Sequence, residues 1–478
     1  MRTARPARRA LACTWRRTLS SSAVVRPGDG LGHKDYAFEM SASSVRFGAG
    51  VTREVGATMK EWGARHVMLL TDANVARDCV GVARALESLD DAGIDVTVFD
   101  GVRCEPTDSS FKVAIEAVAE AGRARGGEKV DAFIAIGGGS VIDTAKVCNL
   151  YSQHPPANFL DYVNPPIGKG LPPPGPLLPL IAVPTTAGTG SETTGVAIFD
   201  LPADPAAGRL SSSKTGIAHR YVRPTLGMID PDNTKSLPPC VAASAGLDVL
   251  SHALESYTAT PFTERPMPDS PILRPAYQGS NPISDVWSLR AMEMMAANIV
   301  RCAADPTDDE ARTAMLLAAT YAGVGFGNAG VHLPHGMSYP IASNVKEWRP
   351  AGYETDHALV PHGISVIVTA PAVFEWTAAA CPDRHLEGAR ALGADTEGVA
   401  DADAGLVLAD TIRKLMSQLA DIDGVDMPKG LAELGYCTSD TEDLVQGTLP
   451  QHRVTKLSPR SAAEDDLSML FEKMQVVL

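Results

Sequence analysis

"FIAIGGGSVIDTAK", residues 133–146, is the stretch that decides the fold. It opens as an apolar run of β type, turns through Gly137, Gly138, Gly139 and Ser140, and continues in "VIDTAK" with helical spacing. A strand feeding a helix through a glycine turn is the repeating unit of a parallel α/β sheet. The unit recurs upstream. "HVMLL" (66–70) ends at Thr71-Asp72 and precedes the helix-like "VARDCVGVARALESL" (75–89). "DVTVF" (95–99) passes through a loop into "SSFKVAIEAVAEAGRA" (109–124). After a Pro/Gly-rich loop at 165–178, "PLIAVPTT" (179–186) restarts the strand pattern. From about Leu237 onward β-branched runs become rare and alanine- and leucine-rich helical patterns dominate. The chain therefore reads as an α/β half with a parallel-sheet, dinucleotide-binding character (36–236) followed by an all-helical half (237–478), with the change near Ser236–Pro239.

Bulk properties agree with a two-domain globular protein. At 478 residues the chain exceeds what one ordinary core serves. Its hydrophobic share of 45% and charged share of 21% are those of a globular protein. A net charge of −15 argues against nucleic acid or an anionic membrane as partner, since both need a basic footprint. No apolar run is long enough to span a bilayer. The 8 cysteines include no C-x-x-C pair, so neither a thiolate zinc site nor a disulfide framework is expected. The first 26 residues differ from the rest: arginines at 2, 5, 8, 9, 16, 17 and 26, a serine run at 20–22, and no acid. That composition is expected of an organelle transit peptide, with residues 1–35 forming the leader and its linker.

Two loops carry a phosphate-binding character. In Gly137–Ser140 glycine lets backbone approach a pyrophosphate, and the helix that follows offers free N–H groups and its positive dipole end. "VPTTAGTGSETT" (183–194) is a second strand end, dense in hydroxyls, with Thr185, Thr186 and Thr189 among them. Two such loops at carboxyl ends of strands in one sheet are where a dinucleotide lies. Asp72, at another strand end, is placed to accept from a ribose hydroxyl.

The helical half carries a histidine–aspartate constellation. Within Val241–Tyr257 the only charged residues are Asp248 and Glu255, with His252 between them, so the three form a stripe at i, i+4 and i+7. A solvated face would carry several Lys, Arg and Glu, so this one is expected to face a site. Thr313–Val345 has no Asp, Glu, Lys or Arg and holds His332 and His335; His362 lies in another uncharged run. A single buried histidine is more often a satisfied core residue. Several together with a helix-borne Asp and His point to metal ligation, and three imidazoles with one carboxylate suit Fe²⁺ or Zn²⁺.

At these residues the chain resembles the iron-containing (group III) alcohol dehydrogenase family. "GGGSVIDTAK", "AVPTTAGTGSETT", "DVLSHALESY" and the "PHG" segments at 334–336 and 361–363 match its pattern in order, and the likeness covers residues 37–478. The resemblance implies the dehydroquinate synthase-like, iron-type alcohol dehydrogenase fold. It implies metal ligation by Asp248, His252, His335 and His362, with Fe²⁺ favoured over Zn²⁺. It places the pyrophosphate of NAD(H) on Gly137–Ser140, Thr185, Thr186 and Thr189 on the nicotinamide side, Asp72 on the adenosine ribose, and Lys214 against the cofactor. Where family dehydrogenases carry a histidine four residues after the third ligand, this chain has Tyr339; His332 is additional, and Tyr339 or His332 is expected to take over proton relay. The segments "EPTDSS", "GSNPISDVWS", "GFGNAGVHLPHGMSYPI" and "LPQHRVTKLSPR" resemble a mitochondrial branch acting on hydroxy acids and oxo acids. That branch implies oxidation of 4-hydroxybutyrate to succinate semialdehyde coupled to reduction of 2-oxoglutarate to D-2-hydroxyglutarate, with the nucleotide retained. It also implies a homo-oligomer in the mitochondrial matrix. A conventional NAD-dependent dehydrogenase that releases NADH is the alternative. Both acids carry remote carboxylates, for which Arg274, Arg453 and Lys456 are candidate cations.

Overall fold

A computed structural model of the chain describes residues 33–204, 212–355 and 357–477. The transit-peptide expectation falls almost wholly on residues 1–32, outside the described residues. Among the described residues there are eight strands: β1 (Ser44–Phe47), β2 (His66–Leu70), β3 (Asp95–Phe99), β4 (Ala132–Gly137), β5 (Leu180–Pro184), β6 (Val196–Leu201), β7 (Ser213–Ala218) and β8 (Leu226–Ile229). Six of them form one sheet in the order β1-β8-β5-β4-β2-β3, every pairing parallel. β6 and β7 pair separately as an antiparallel ribbon.

Burial follows position in the sheet. β2, β4 and β5 are buried at every residue, which is why they appear in the sequence as unbroken apolar runs. β1 and β3 lie at the edges and are largely exposed or half-buried. From β2 the chain moves outward to β3, then returns to β4 on β2's other side and continues to β5 and β8. The connections thus reverse direction between β2 and β4, and a crevice opens at the carboxyl ends there. Thr71 closes its base by donating from Oγ1 to the carbonyl of Ile136 at 2.8 Å.

Beyond Pro239 the chain is helical. The long helices Pro239–Thr258, Pro282–Ala304 and Asp309–Ala329 pack on one another around a core that includes Leu247, Leu250, Met292, Met295 and Met315. Among the described residues no single helix is long and apolar enough to cross a membrane. The helical reading of 75–89 needs one correction. Cys79 is extended (φ −94°, ψ 122°), and it divides the stretch into helices Ala73–Asp78 and Val80–Asp91.

The two halves meet through close backbone contact. Gly190 has φ +57°, and a Cβ there would lie 2.6 Å from the Cα of Gly323 on the Asp309–Ala329 helix. Beside it, the buried Glu192 accepts from the Thr320 hydroxyl on that helix at 3.0 Å. Gly190→Ala combines a left-handed alanine with overpacking, each a cost of about 1–2 kcal/mol. A thermal melt of the variant is expected to shift down by several degrees; an unchanged midpoint would mean the halves separate at this seam without cost.

Candidate active site

The crevice continues over the helical half as a cleft of about 680 Å³, within the size range of small-molecule and cofactor sites. On its sheet side, the Gly139–Gln153 helix starts at Gly138 with no side-chain cap, so no side chain of the N-cap residue takes up its first N–H groups. The two loops touch there. A Cβ on Gly138 would sit 3.2 Å from Thr186 Cγ2, and one on Gly139 would sit 2.6 Å from Thr189 Cγ2. Gly138, Gly139, Ser140, Thr185, Thr186 and Thr189 all line the cleft. Gly137 does not: it ends β4, and a Cβ there would strike Val141 Cγ2 at 2.4 Å. Ser140 Oγ already accepts from the Glu105 N–H at 3.1 Å. Asp72 caps the Ala73–Asp78 helix, its Oδ1 accepting from the N–H groups of Asn74 and Val75 at 3.0 and 2.9 Å. It also lines the cleft, and burial raises its carboxyl pKa.

Two residues beneath these loops were missed in the sequence. Lys146 is wholly buried, and its Nζ donates to Ser191 Oγ (2.6 Å), Val196 O (2.7 Å) and Asp143 Oδ1 (3.2 Å). Asp143 Oδ1 accepts from Ser191 at 2.5 Å, and its Oδ2 accepts from the Ile198 N–H at 2.9 Å. The pair fastens the helix after the first loop to the end of the second. The signal was available: Asp143 and Lys146 are the only charges between Gly139 and Gln153.

On the helical side, Asp248 and His252 stand one turn apart on the Pro239–Thr258 helix, His335 in the first turn of Leu333–Ser343, and His362 at the start of His362–Ile367. One ligand atom from each lies within 4.8 Å of all the others. The Nε2 atoms of His252, His335 and His362 are 3.6, 3.6 and 3.7 Å from the same oxygen, Asp248 Oδ1. Those separations are too long for hydrogen bonds. They are what a shared ion requires, since two ligands each roughly 2.0–2.2 Å from a metal stand roughly 3.3–3.6 Å apart at a tetrahedral angle. Asp248 Oδ1 and His335 Nε2 are buried and have no hydrogen-bond partner. The residues present therefore fit a divalent ion, and no thiolate is among them.

The electrostatics of the cluster centre on the carboxylate. Burial pushes the Asp248 carboxyl up, but His252, His362 and His335 outweigh it and hold the group well below the usual range. Burial takes His252 down to about 3 and also lowers His362. His335 goes the other way, to about 10, because Glu255 and Asp248 override its burial. His252 is fixed by stacking on Phe326, with centroids 3.9 Å apart and planes within 5°.

Glu255 works behind this layer. Its carboxylate accepts from His335 Nδ1 and from the backbone N–H groups of His332 (3.1 Å) and His335 (3.0 Å). An imidazole held through its far nitrogen by a carboxylate presents the near one in a fixed orientation. His332 itself does not line the cleft. Its Nε2 bonds Thr258 Oγ1 at 2.9 Å, and burial lowers its pKa to about 4. The expectation that it serves a proton relay meets this obstacle, and its backbone's hold on Glu255 is the visible contribution. Tyr339 does line the cleft and accepts at its hydroxyl from Arg453 Nη2 at 3.3 Å. Lys214 lines the cleft too, paired with Glu105 at 2.5 Å and Asp200 at 3.1 Å. Of the three cations considered for a substrate carboxylate, Arg274 is engaged by Asp35 at 3.0 and 3.1 Å and lies outside the cleft. Lys456 is exposed, and Arg453 lines a small separate cavity that Tyr339 also borders, so neither of them lines the cleft.

A glycine–threonine loop pair and a buried His₃Asp cluster on one cleft are the arrangement expected of a metal- and nucleotide-dependent oxidoreductase. Residues 42–231 match the iron-containing alcohol dehydrogenase profile and 276–475 match the Fe-containing alcohol dehydrogenase family C-terminal profile. The chain belongs to the iron-containing alcohol dehydrogenase family. It is 55% identical over 439 residues, 92% of this chain and 90% of the relative, to hydroxyacid-oxoacid transhydrogenase, mitochondrial, of Xenopus laevis. Its fold matches the crystal structure of 1,3-propanediol oxidoreductase with a TM-score of 0.76 at 24% identity, covering 92% of this chain and 100% of that one. It also matches sulfoacetaldehyde reductase from Bifidobacterium kashiwanohense, solved in complex with NAD+, with a TM-score of 0.71 at 24% identity, covering 92% and 99% of the two chains.

Glu255→Gln keeps the size of the side chain and removes the charge behind His335. Its affinity for Fe²⁺ or Zn²⁺, read by competition with a chromogenic chelator, is expected to fall about 10- to 100-fold. Unchanged affinity would mean that Glu255 does not orient a ligand.

Proposed function

We propose that this enzyme moves hydride from a hydroxy acid to an oxo acid through a nicotinamide nucleotide kept in the cleft. The pair would be 4-hydroxybutyrate, leaving as succinate semialdehyde, and 2-oxoglutarate, leaving as D-2-hydroxyglutarate. The observation that carries the reading is the opposition, across one cleft, of the glycine–threonine cradle and the Asp248–His252–His335–His362 cluster. The 55% identity to a transhydrogenase favours this branch over a dehydrogenase that releases NADH. The reaction needs no outside oxidant: the hydride and proton leaving the donor's CH–OH both arrive at the acceptor's C=O.

In this reading residues 36–236 hold the nucleotide and 237–478 hold the ion, Fe²⁺ ahead of Zn²⁺. Gly138–Ser140 and the first turn of the helix that follows receive the pyrophosphate, with Gly137 ending β4 beneath them, and Asp72 Oδ2 receives the adenosine ribose. Thr185, Thr186 and Thr189 border the nicotinamide, with Lys214 close by. When bound, the ion polarises the substrate oxygen and the nicotinamide carries the hydride. The chain's own work is placement. Lys146 and Asp143 fix the second loop against the first, Glu255 fixes His335, and Phe326 fixes His252. Tyr339 Oη accepts from Arg453, which leaves its proton available to donate to a substrate oxygen. Together with the relatives' name, the arginine-rich, acid-free first 26 residues support import into the mitochondrial matrix.

The test uses protein loaded with ferrous iron, freed of loose nucleotide and given 4-hydroxybutyrate with or without 2-oxoglutarate. Products are followed by mass spectrometry and NADH by absorbance. Equimolar succinate semialdehyde and 2-hydroxyglutarate, formed only with 2-oxoglutarate and without added NAD, is the expected result. Turnover that needs added NAD and accumulates NADH would replace the proposal with an ordinary dehydrogenase.

A further inference from the structure

The cations lining the cleft are Arg77, Arg103 and Lys214, and carboxylates outnumber them there. Two of these cations are already committed. Arg77 is met by Asp78 at 2.7 Å and by Glu354 at 3.3 Å, and Lys214 by Glu105 and Asp200. Arg103 differs. Among the described residues no carboxylate pairs with it, and its one hydrogen bond runs from Nη1 to the carbonyl of Glu105 at 2.8 Å. This half-buried guanidinium keeps further N–H donors and a whole charge to place. A doubly charged pyrophosphate entering a cleft in which carboxylates are in excess needs such a counter-charge, because the helix start and the loop hydroxyls offer only dipoles.

The loop after β3 gives Arg103 its position. Gly101 bridges to Asp72, the Val102 N–H donates to the Thr71 carbonyl at 3.3 Å, and the Glu105 N–H donates to Ser140 Oγ at 3.1 Å. The segment therefore runs from the residue assigned to the adenosine ribose to the loop assigned to the pyrophosphate, with Arg103 between them. Glu105 has φ 51°, the one left-handed backbone at a non-glycine position among the described residues. A glutamate keeps that disfavoured conformation only where its surroundings hold it. Here its N–H is held by Ser140 and its carbonyl by Arg103, so a single residue ties the guanidinium to the glycine loop.

We infer that Arg103 supplies the positive charge that neutralises the nucleotide's pyrophosphate and so helps to hold NAD(H) in the cleft. The inference rests on the reading that Gly138–Ser140 receive the pyrophosphate, and its test needs no turnover. The full chain, stripped of nucleotide, is given NADH or NADPH, whose binding is followed by fluorescence, and ADP or adenosine, measured by displacement of NADH. Arg103→Met should weaken NADH and ADP together, about 10-fold or more, and move adenosine, which carries no phosphate, by less than about 2-fold. Arg103→Lys should recover part of the loss, since it keeps the charge without the fork. Wild-type affinity for ADP should fall more steeply with salt than that of Arg103→Met. Arg290→Met, which removes an exposed charge on the Pro282–Ala304 helix outside the cleft, should leave every constant within about 2-fold. ADP bound equally by wild type and Arg103→Met, or adenosine lost along with ADP, would overturn the assignment. So would a loss confined to NADPH, which would put the guanidinium on a ribose 2′-phosphate. Wild type that bound neither NADH nor ADP would defeat the nucleotide reading itself, a failure distinct from that of Arg103.

Discussion

A single carboxylate oxygen, Asp248 Oδ1, sets the constraint around which the helical half is arranged. It is buried, it stands 3.6–3.7 Å from three imidazole nitrogens, and it bonds to none of them. A buried charge stripped of partners costs several kcal/mol, about 3–5 when one member of a pair is removed. A proton can sit on one of those nitrogens at a time; a divalent ion satisfies all four donors at once. The opposed shifts of His252, down to about 3, and His335, up to about 10, express the same imbalance: one imidazole is backed by a second carboxylate and the other by an aromatic ring.

Holding that arrangement takes contributions from both halves of the chain. Asp248 and His252 come from one helix, and His335 and His362 from the beginnings of two others. His335 is stiffened from behind by Glu255, and His252 by Phe326. Opposite, the nucleotide loops are stiffened by Lys146, whose four partners span Asp143, Ser191, Thr194 and Val196. The close approach of Gly190 and Gly323 then fixes one face against the other. The cleft is thus bounded by surfaces many of whose polar groups are committed internally, Asp248 Oδ1 and His335 Nε2 being exceptions.

What could be seen in the sequence divides along physical lines. The central strands β2, β4 and β5 were visible because burial on both faces demands continuous apolar runs. β1 was not singled out because it is largely exposed, and the β6–β7 ribbon because its mostly buried strands carry polar residues such as Asp200, Lys214 and Thr215 among the apolar ones. The helical period runs unbroken through Cys79, so nothing in the spacing marked its extended backbone. Asp248, His252, His335 and His362 stood out because an ionisable group in an uncharged stretch needs a reason to be there. Asp143 and Lys146 stand out by the same logic, yet the glycine loop beside them drew the reading away. Arg453 could be named only as one of three candidates. Its hydrogen bond to Tyr339 bridges 114 residues, and the structure leaves it behind that tyrosine, outside the cleft lining.

The roles assigned to Asp248 and the three histidines depend most directly on which atoms surround the bound ion. X-ray absorption of the iron-loaded protein identifies those atoms without reference to turnover. The expected spectrum shows nitrogen and oxygen ligands at about 2.0–2.2 Å with the outer-shell scattering of three imidazoles, and it loses that imidazole signal in part in His335→Ala. A shell containing sulfur, or one without imidazole scattering, would place the ion elsewhere and leave the Asp248 cluster without the role assigned to it.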